Sequence, residues 1–339
     1  MIVTIVFAIL IFSLIIFVHE LGHFLAARAF GVGVKEFAIG MGPEIFSRTK
    51  NETKYSVRLI PMGGFCAVEG EDEEDDSETS INSKPWYARF VILFAGAGMN
   101  LILGFVITLI IVAVSTFNTG IPSSTVDYCV EGADCGNYLQ NGDKITQING
   151  RRVNIKKDIS YLVSLDTDDT LDVTYLRNGE ENTVSVKVYE TEGVKTIGFM
   201  AEVKKPGVFT VIHESFFQTV WMGKMVFLSL KMLIGGEARF TDLSGPVGVV
   251  SVMNDTAQSG GLLSLIFLGA FISVNIGLMN LLPIPALDGG RILFVLVEAI
   301  RRKKIDPEKE GYVHMIGFFL LIGLMIFATW NDIVRIFSR

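Results

Sequence analysis

The chain has 339 residues, of which 50% are hydrophobic and only 19% charged. An ordinary soluble domain is nearer a quarter charged. With a net charge of -7 and scattered basic residues, the composition excludes a purely soluble enzyme, a disordered chain, a collagen and a small disulfide scaffold, and it argues against nucleic-acid binding.

A membrane-crossing helix needs about 20 apolar residues. Ile2 to Val18 is apolar apart from Thr4 and Ser13 and runs straight into His19, Glu20 and His23. It has no basic leader region and no evident cleavage site, so it reads as a retained helix. Phe90 to Val114, Leu262 to Leu282 and Tyr312 to Trp330 are the other three candidate spans. Phe216 to Ile234 is long enough, but Gln218, Lys224 and Lys231 fall on one helical face, which predicts an amphipathic helix at the interface. Arg291 to Ile300 is too short to cross.

Lysine and arginine set the orientation. They crowd the segment after span one (Arg28, Lys35, Arg48, Lys50, Lys54, Arg58), the start of span two (Lys84, Arg89) and the link before span four (Arg301 to Lys304). Those flanks belong in the cytoplasm. Both termini and the segment from about Phe117 to Glu214 are then expected outside.

That outer segment has the composition of a soluble domain. Gly142-Asp143-Lys144-Ile145-Thr146-Gln147-Ile148-Asn149-Gly150-Arg151-Arg152-Val153 reads as turn, strand, Asn-Gly turn and strand. Ile155 to Leu165 reads as a short helix. Thr170 to Tyr175 and Thr183 to Val188 alternate around Asn178-Gly179, a hairpin signal. This succession resembles a PDZ domain over roughly residues 117 to 203, and the resemblance implies a groove that accepts an extended peptide as an added strand. No carboxylate-binding loop stands out. Cys129 and Cys135 are either two thiols or, outside the cytoplasm, a disulfide.

The sharpest chemical signal is His19-Glu20-Leu21-Gly22-His23. On a helix the two imidazoles share a face and can bind one metal, with the glutamate beside a metal-bound water. Ionisable groups in an apolar helix are functional candidates by default. Catalytic zinc usually takes three protein ligands. Neither His213 nor His314 has a motif around it, so Asp288, in Asn280-Leu281-Leu282-Pro283-Ile284-Pro285-Ala286-Leu287-Asp288-Gly289-Gly290, is the candidate third ligand. Taken alone it would read as a turn residue or a helix N-cap. Its depth matches: His19 lies about 27 Å along the first helix, near its cytoplasmic end, and Asp288 follows a span that runs inward.

The segments FVHELGHF and NLLPIPALDGG, with a PDZ-like insert between them, resemble the site-2 protease family of intramembrane zinc metalloproteases, most of all the bacterial regulator-of-sigma-E group. Tyr55 to Glu71 is similar to that family's cytoplasmic β-hairpin, and Leu243-Ser244-Gly245-Pro246-Val247-Gly248 to a motif before span three. The resemblance implies zinc held by His19, His23 and Asp288, with Glu20 as general base. It also matches Asn275 and Asn280 to asparagines near the substrate path and Asn100 to one on span two; substrate contact and helix–helix hydrogen bonding are both open for these three. Gly63 and Gly64 are placed with them, on the segment Tyr55 to Phe65, which could pair with substrate as a strand. Gly96 and Gly98 read as close-packing positions between helices, and the acidic run Glu69 to Asp76 as a solvated loop.

The expected fold class is a polytopic α-helical membrane protein of about four transmembrane helices, with an inserted extracytoplasmic β-rich PDZ-like domain and a cytoplasmic-side β-hairpin. The expected divisions are 1–28 (first span with HExxH), 29–88 (β segment and acidic loop), 89–116 (second span), 117–205 (PDZ-like domain), 206–261 (amphipathic helix and linker), 262–290 (third span with LDG), 291–311 (cytoplasmic link) and 312–339 (fourth span). The expected activity is hydrolysis of peptide bonds in the membrane segments of single-span proteins such as anti-sigma factors and signal-peptide remnants, in a bacterial cytoplasmic membrane.

Overall fold

The computed structural model describes residues 2–71, 77–166, 168–191, 194–236 and 244–337. In chain order the elements are α1 (Ile2–Ala29), β1 (Val34–Lys50), β2 (Thr53–Val68) and α2 (Trp86–Thr119). Then come β3 (Ile121–Cys129), β4 (Lys144–Ile148), β5 (Arg151–Arg152), α3 (Lys156–Ser164), β6 (Thr170–Arg177), β7 (Glu180–Lys187), β8 (Tyr189–Thr191), β9 (Val194–Thr196) and β10 (Phe199–Lys204). The chain ends with α4 (Val208–Ile234), α5 (Pro246–Asn280), α6 (Asp288–Arg301) and α7 (Pro307–Phe337). Two compact units result, one of residues 1–107 with 222–339 and one of residues 108–221.

In the first unit α1, α2, α5 and α7 are long and apolar enough to cross a membrane. Their outward faces carry large exposed apolar side chains such as Leu10, Ile102, Ile316 and Phe319, which water would not tolerate at this density and lipid does. All four helices outrun the stretches expected from hydropathy. Most of α5's excess precedes Gly261, whose φ of 67° breaks the helix. Glycine adopts that left-handed conformation without a Cβ penalty.

Small residues set the helix contacts. A Cβ at Gly22 of α1 would lie 2.4 Å from the carbonyl oxygen of Ala95 in α2, and one at Gly104 of α2 would lie 2.4 Å from Val274 of α5. The start of α5 is capped from α7: the N–H of Gly248 donates to Oδ2 of the buried Asp332 at 2.7 Å. A Cβ at Gly248 would lie 2.5 Å from the Asp332 carboxylate, and one at Gly245 2.9 Å. The described part of the Ser244–Gly248 motif is thus spaced by that carboxylate; Leu243 lies outside the described residues.

β1 and β2 form one long hairpin, turned by Asn51 and Glu52, both at positive φ. Residues 36–39 pair with 64–67 on one side and with 54–57 on the other, so the hairpin is curled back on itself. Segment 54–57 is bonded on both sides, so the first part of the expected pairing segment, Tyr55 to Val57, has no free edge for a substrate strand, whereas 64–67 pair only with β1 among the described residues. Phe37 packs on Phe17 and Phe24 of α1, with ring centroids 5.9 and 5.2 Å away. The hydroxyl of Ser13 donates to the carbonyl of Pro61. Ser13 precedes His19 by six residues, about 9 Å along the helix. The hairpin therefore does not stop at the end of α1. It runs along α1 past the histidines, and Met41, Ile45, Phe46, Leu59 and Ile60 are exposed on it.

The acidic run is only partly described, residues 72–76 being outside. Its member Glu71 is no solvated loop residue: its carboxylate accepts from Arg291 of α6.

In the second unit the sheet order is β10-β3-β4-β6-β7, antiparallel throughout. The core holds Ile145, Ile148, Val163, Leu171, Val173 and Ile197. Asn149-Gly150 and Asn178-Gly179 turn with all four residues at positive φ, the geometry that suits two-residue hairpins. Asp143 is buried, and Arg177 donates to both its oxygens at 2.8 and 2.7 Å. Cys129 and Cys135, left open by sequence, are joined as a disulfide. Gln218 of α4 is off the face of Lys224 and Lys231, because six residues at about 100° each put it about 120° round the helix from Lys224; it accepts from Lys157 of α3 at 3.2 Å.

Candidate metal centre

The helical repeat of α1 puts His19 and His23 one turn apart on one face, and their Nε2 atoms are 3.2 Å apart. Asp288 reaches the same point from a different part of the chain. After α5 ends at Asn280, Pro283 and Pro285 prevent helix continuation, and residues 281–287 fold back over the first turn of α6. The glycines after Asp288 make that fold possible: a Cβ at Gly289 would lie 2.2 Å from the Leu282 carbonyl oxygen, and one at Gly290 2.5 Å from that of Ile284. Ala286 sits at φ 73°, strained for a residue with a Cβ. Its N–H donates to Nδ1 of His314 in α7 at 2.9 Å.

Asp288 Oδ2 lies 3.2 Å from His19 Nε2 and 3.5 Å from His23 Nε2. It is buried, and despite these distances neither approach has hydrogen-bond geometry. The donor atoms of the three residues all lie within 4.8 Å of one another. Zinc binds such atoms at about 2.0–2.2 Å in a tetrahedron, whose edge is then about 3.3 Å. The three separations of 3.2, 3.2 and 3.5 Å match that edge, so the donor set fits a zinc ion and leaves one vertex for water or substrate.

The surroundings are built to the histidines. The backbone C=O of Ile92 in α2 lies 2.9 Å from Nδ1 of His23; accepting the Nδ1 proton leaves Nε2 with its lone pair toward Asp288. Gly96 and Gly98 differ from the expectation that both merely space helices. A Cβ at Gly96 would lie 2.2 Å from His23 Nε2, so its empty volume holds the His23 ring itself, whereas Gly98 faces only Phe94 of its own helix. Asn100 is fully buried, with its amide 3.3 Å from His19 Nδ1.

Glu20 lines a cavity of about 200 Å³ together with His19, His23, Glu71, Asp288 and Arg291. The backbone N–H of Cys66 in β2 faces its carboxylate, and a Cβ at Gly64 would lie 3.8 Å from Glu20 Cγ. The hairpin therefore forms one wall. Gly63, at φ 84°, abuts Met41 and does not line the cavity. Asn275 and Asn280 are half-buried on α5 and do not line it either. His314, Glu71 and Arg291 are the functional neighbours that sequence reasoning misses. The last is one helical turn beyond Asp288, the only local signal among them.

A 2-His-1-carboxylate donor set beside the Glu20 carboxylate in one cavity suits metal-assisted hydrolysis. The family model described as Peptidase family M50 matches residues 7–324. The regulator of sigma-W protease RasP of Bacillus subtilis is 32% identical over 422 residues, covering 98% of this chain and 99% of that one. Zinc metalloprotease RasP of Oceanobacillus iheyensis is 32% identical over 433 residues (98% and 99%). A protein of Clostridium acetobutylicum, provisionally named a zinc metalloprotease, is 38% identical over 334 residues (97% and 97%). Among solved structures, the PDZ domain of an SdrC-like protein of Listeria monocytogenes is 22% identical, covering 28% of this chain and 93% of that one, with a TM-score of 0.20.

Proposed function

This chain belongs to peptidase family M50, and on that premise we propose that it is an intramembrane protease, hydrolysing peptide bonds in the membrane segments of single-span proteins. It is a zinc metalloprotease, as its relatives are named. The observation that carries the intramembrane reading is the meeting of His19, His23 and Asp288 on α1 and beside α5, two helices long and apolar enough to cross a membrane.

His19, His23 and Asp288 hold the zinc, whose chemistry in such a site is polarisation of a carbonyl and acidification of water. Glu20 accepts the proton of the attacking water and delivers it to the leaving amine. A helical substrate must unwind to expose its carbonyl. The stretch Pro61–Val68 supports that step as an acceptor strand, because residues 64–67 are bonded on one side only among the described residues and Gly64 approaches Glu20. Gly64→Pro should abolish cleavage with zinc retained; unimpaired cleavage would remove the strand role.

The chain sits in a bacterial cytoplasmic membrane, with its termini and the β-rich domain outside. The lysine and arginine distribution supports this, as does the Cys129–Cys135 disulfide, since disulfides persist in oxidising compartments. The β-rich domain acts as a PDZ-like gate that admits substrates whose outer part has been trimmed. Deleting residues 121–203 then permits cleavage of untrimmed substrates. The name of the Bacillus subtilis relative, a regulator of sigma-W, makes anti-sigma factors the first substrates to test, with signal-peptide remnants next.

The test is reconstitution of wild type and Glu20→Gln in vesicles with single-span candidates and mass spectrometry of the products. The reading requires cuts within the apolar segment, lost in Glu20→Gln. Cuts confined to water-exposed loops, or equal in both proteins, would overturn it.

A further inference from the structure

His19 meets the ligand cluster through Nε2, and its other nitrogen, Nδ1, lies 3.3 Å from the side-chain amide of Asn100. The amide nitrogen faces Nδ1, and Oδ1 of Asn100 is buried with no hydrogen-bond partner. In that orientation Nδ1 must accept, so the neutral ring carries its proton on Nε2. A protonated Nε2 has no lone pair for a metal. Turning the amide by 180° exchanges its oxygen and nitrogen and gives Oδ1 the proton of Nδ1.

The exchange leaves an amide N–H where Oδ1 had been, so the amide's own bonds do not decide between the two states. The ligand requirement does. Metal-binding histidines donate the second ring N–H to a carbonyl or carboxylate, and His23 already has this device in the Ile92 carbonyl. Asn100 is held for the same service by α5. Ser273, fully buried, donates from Oγ to the Asn100 backbone carbonyl at 2.8 Å, and Gly277 gives its Cβ room at 3.2 Å. Its side chain is fully buried behind His19 and does not line the cavity, which is the place of an orienting group and not of a substrate contact.

We propose that Asn100 is the positioning residue that fixes His19 as an Nε2 zinc ligand by accepting its Nδ1 proton at Oδ1. This rests on the reading of His19, His23 and Asp288 as the zinc site.

The test is zinc affinity of the detergent-purified full chain, by competition with a chelator, for wild type, Asn100→Asp and Asn100→Leu. Leucine offers no acceptor, and its affinity should fall about 10- to 100-fold. Aspartate keeps an acceptor and should stay within about threefold of wild type or bind more tightly. Leucine binding as tightly as wild type, or aspartate losing as much as leucine, overturns the proposal. Nitrogen NMR of zinc-loaded wild type with labelled histidine tests it without a variant: a protonated Nδ1 on His19 supports it, and a bare Nδ1 overturns it. Wild type that binds no zinc would overturn the zinc site itself, an outcome distinct from a wild type that binds while leucine is harmless.

Discussion

Nδ1 of His314 accepts the N–H of Ala286 at 2.9 Å, and that bond joins α7 to the loop that aims Asp288. Ala286 holds a positive φ that alanine disfavours, so something must over-determine it. Pro285 packs against Gly317, one turn along α7 from His314, where a Cβ would lie 2.5 Å from the proline. His314→Leu should release the strained turn and weaken zinc binding about tenfold, as loss of a supporting partner does. His314→Gln, which keeps an acceptor, should lose less. Chelator competition on both variants checks this, and equal affinity in His314→Leu would show that the turn holds itself.

Two glycines only two residues apart on α2, about 3 Å of helix rise, should behave differently. Gly96→Ala places a Cβ 2.2 Å from His23 Nε2, so metal content should fall even though alanine favours the helix by about 1 kcal/mol. Gly98→Ala meets only the Phe94 ring, at 3.2 Å, and should leave zinc unchanged. Metal analysis of both proteins decides it. Loss of zinc in the Gly98 variant, or none in the Gly96 variant, would contradict the role given to that space.

Asp332 caps α5 from α7. Asp332→Ala strands the Gly248 N–H in a buried place, and loss of such a cap costs about 1–2 kcal/mol. A thermal melt in detergent should show a lower midpoint, with Asp332→Asn closer to wild type because it retains an acceptor.

The β-rich domain should lose stability in acid through Asp143. Burial pushes its carboxyl pKa up, but hydrogen bonds from Arg177 and from the Gln140 N–H, with the arginine charge, overcome that and hold it below the ordinary 3.8. A folded pKa below the unfolded one contributes stability that is complete above the unfolded value and lost as pH falls through the folded one. Wild type should therefore be more stable than Asp143→Ala at pH 7, and the gap should narrow once pH drops below about 3.9. A gap that stays constant from pH 7 to pH 2 would remove the linkage.

Much of this arrangement is legible in the chain, and what is not has physical reasons. The HExxH spacing fixes two side chains on one helical face whatever surrounds them. Asp288 stands out through its prolines and glycines, although it is also the first residue of α6, the bland role it could have had alone. Both Asn-Gly turns are local and readable. Contacts across 28 or 220 residues are not: His314 has no motif, and Glu71 looks like part of a charge run until Arg291 meets it. The spacing of Gly96 cannot say whether its space is filled by another helix or by the His23 ring. Nor does strand length say that a hairpin runs along α1 as far as Ser13.

The most direct measurement is the zinc-to-chain ratio of the purified protein as wild type, Glu20→Gln and Asp288→Ala. The account predicts about one zinc per chain in the first two and its loss in the third, because α1 and the start of α6 share one ion. Full zinc retained in a folded Asp288→Ala would contradict it.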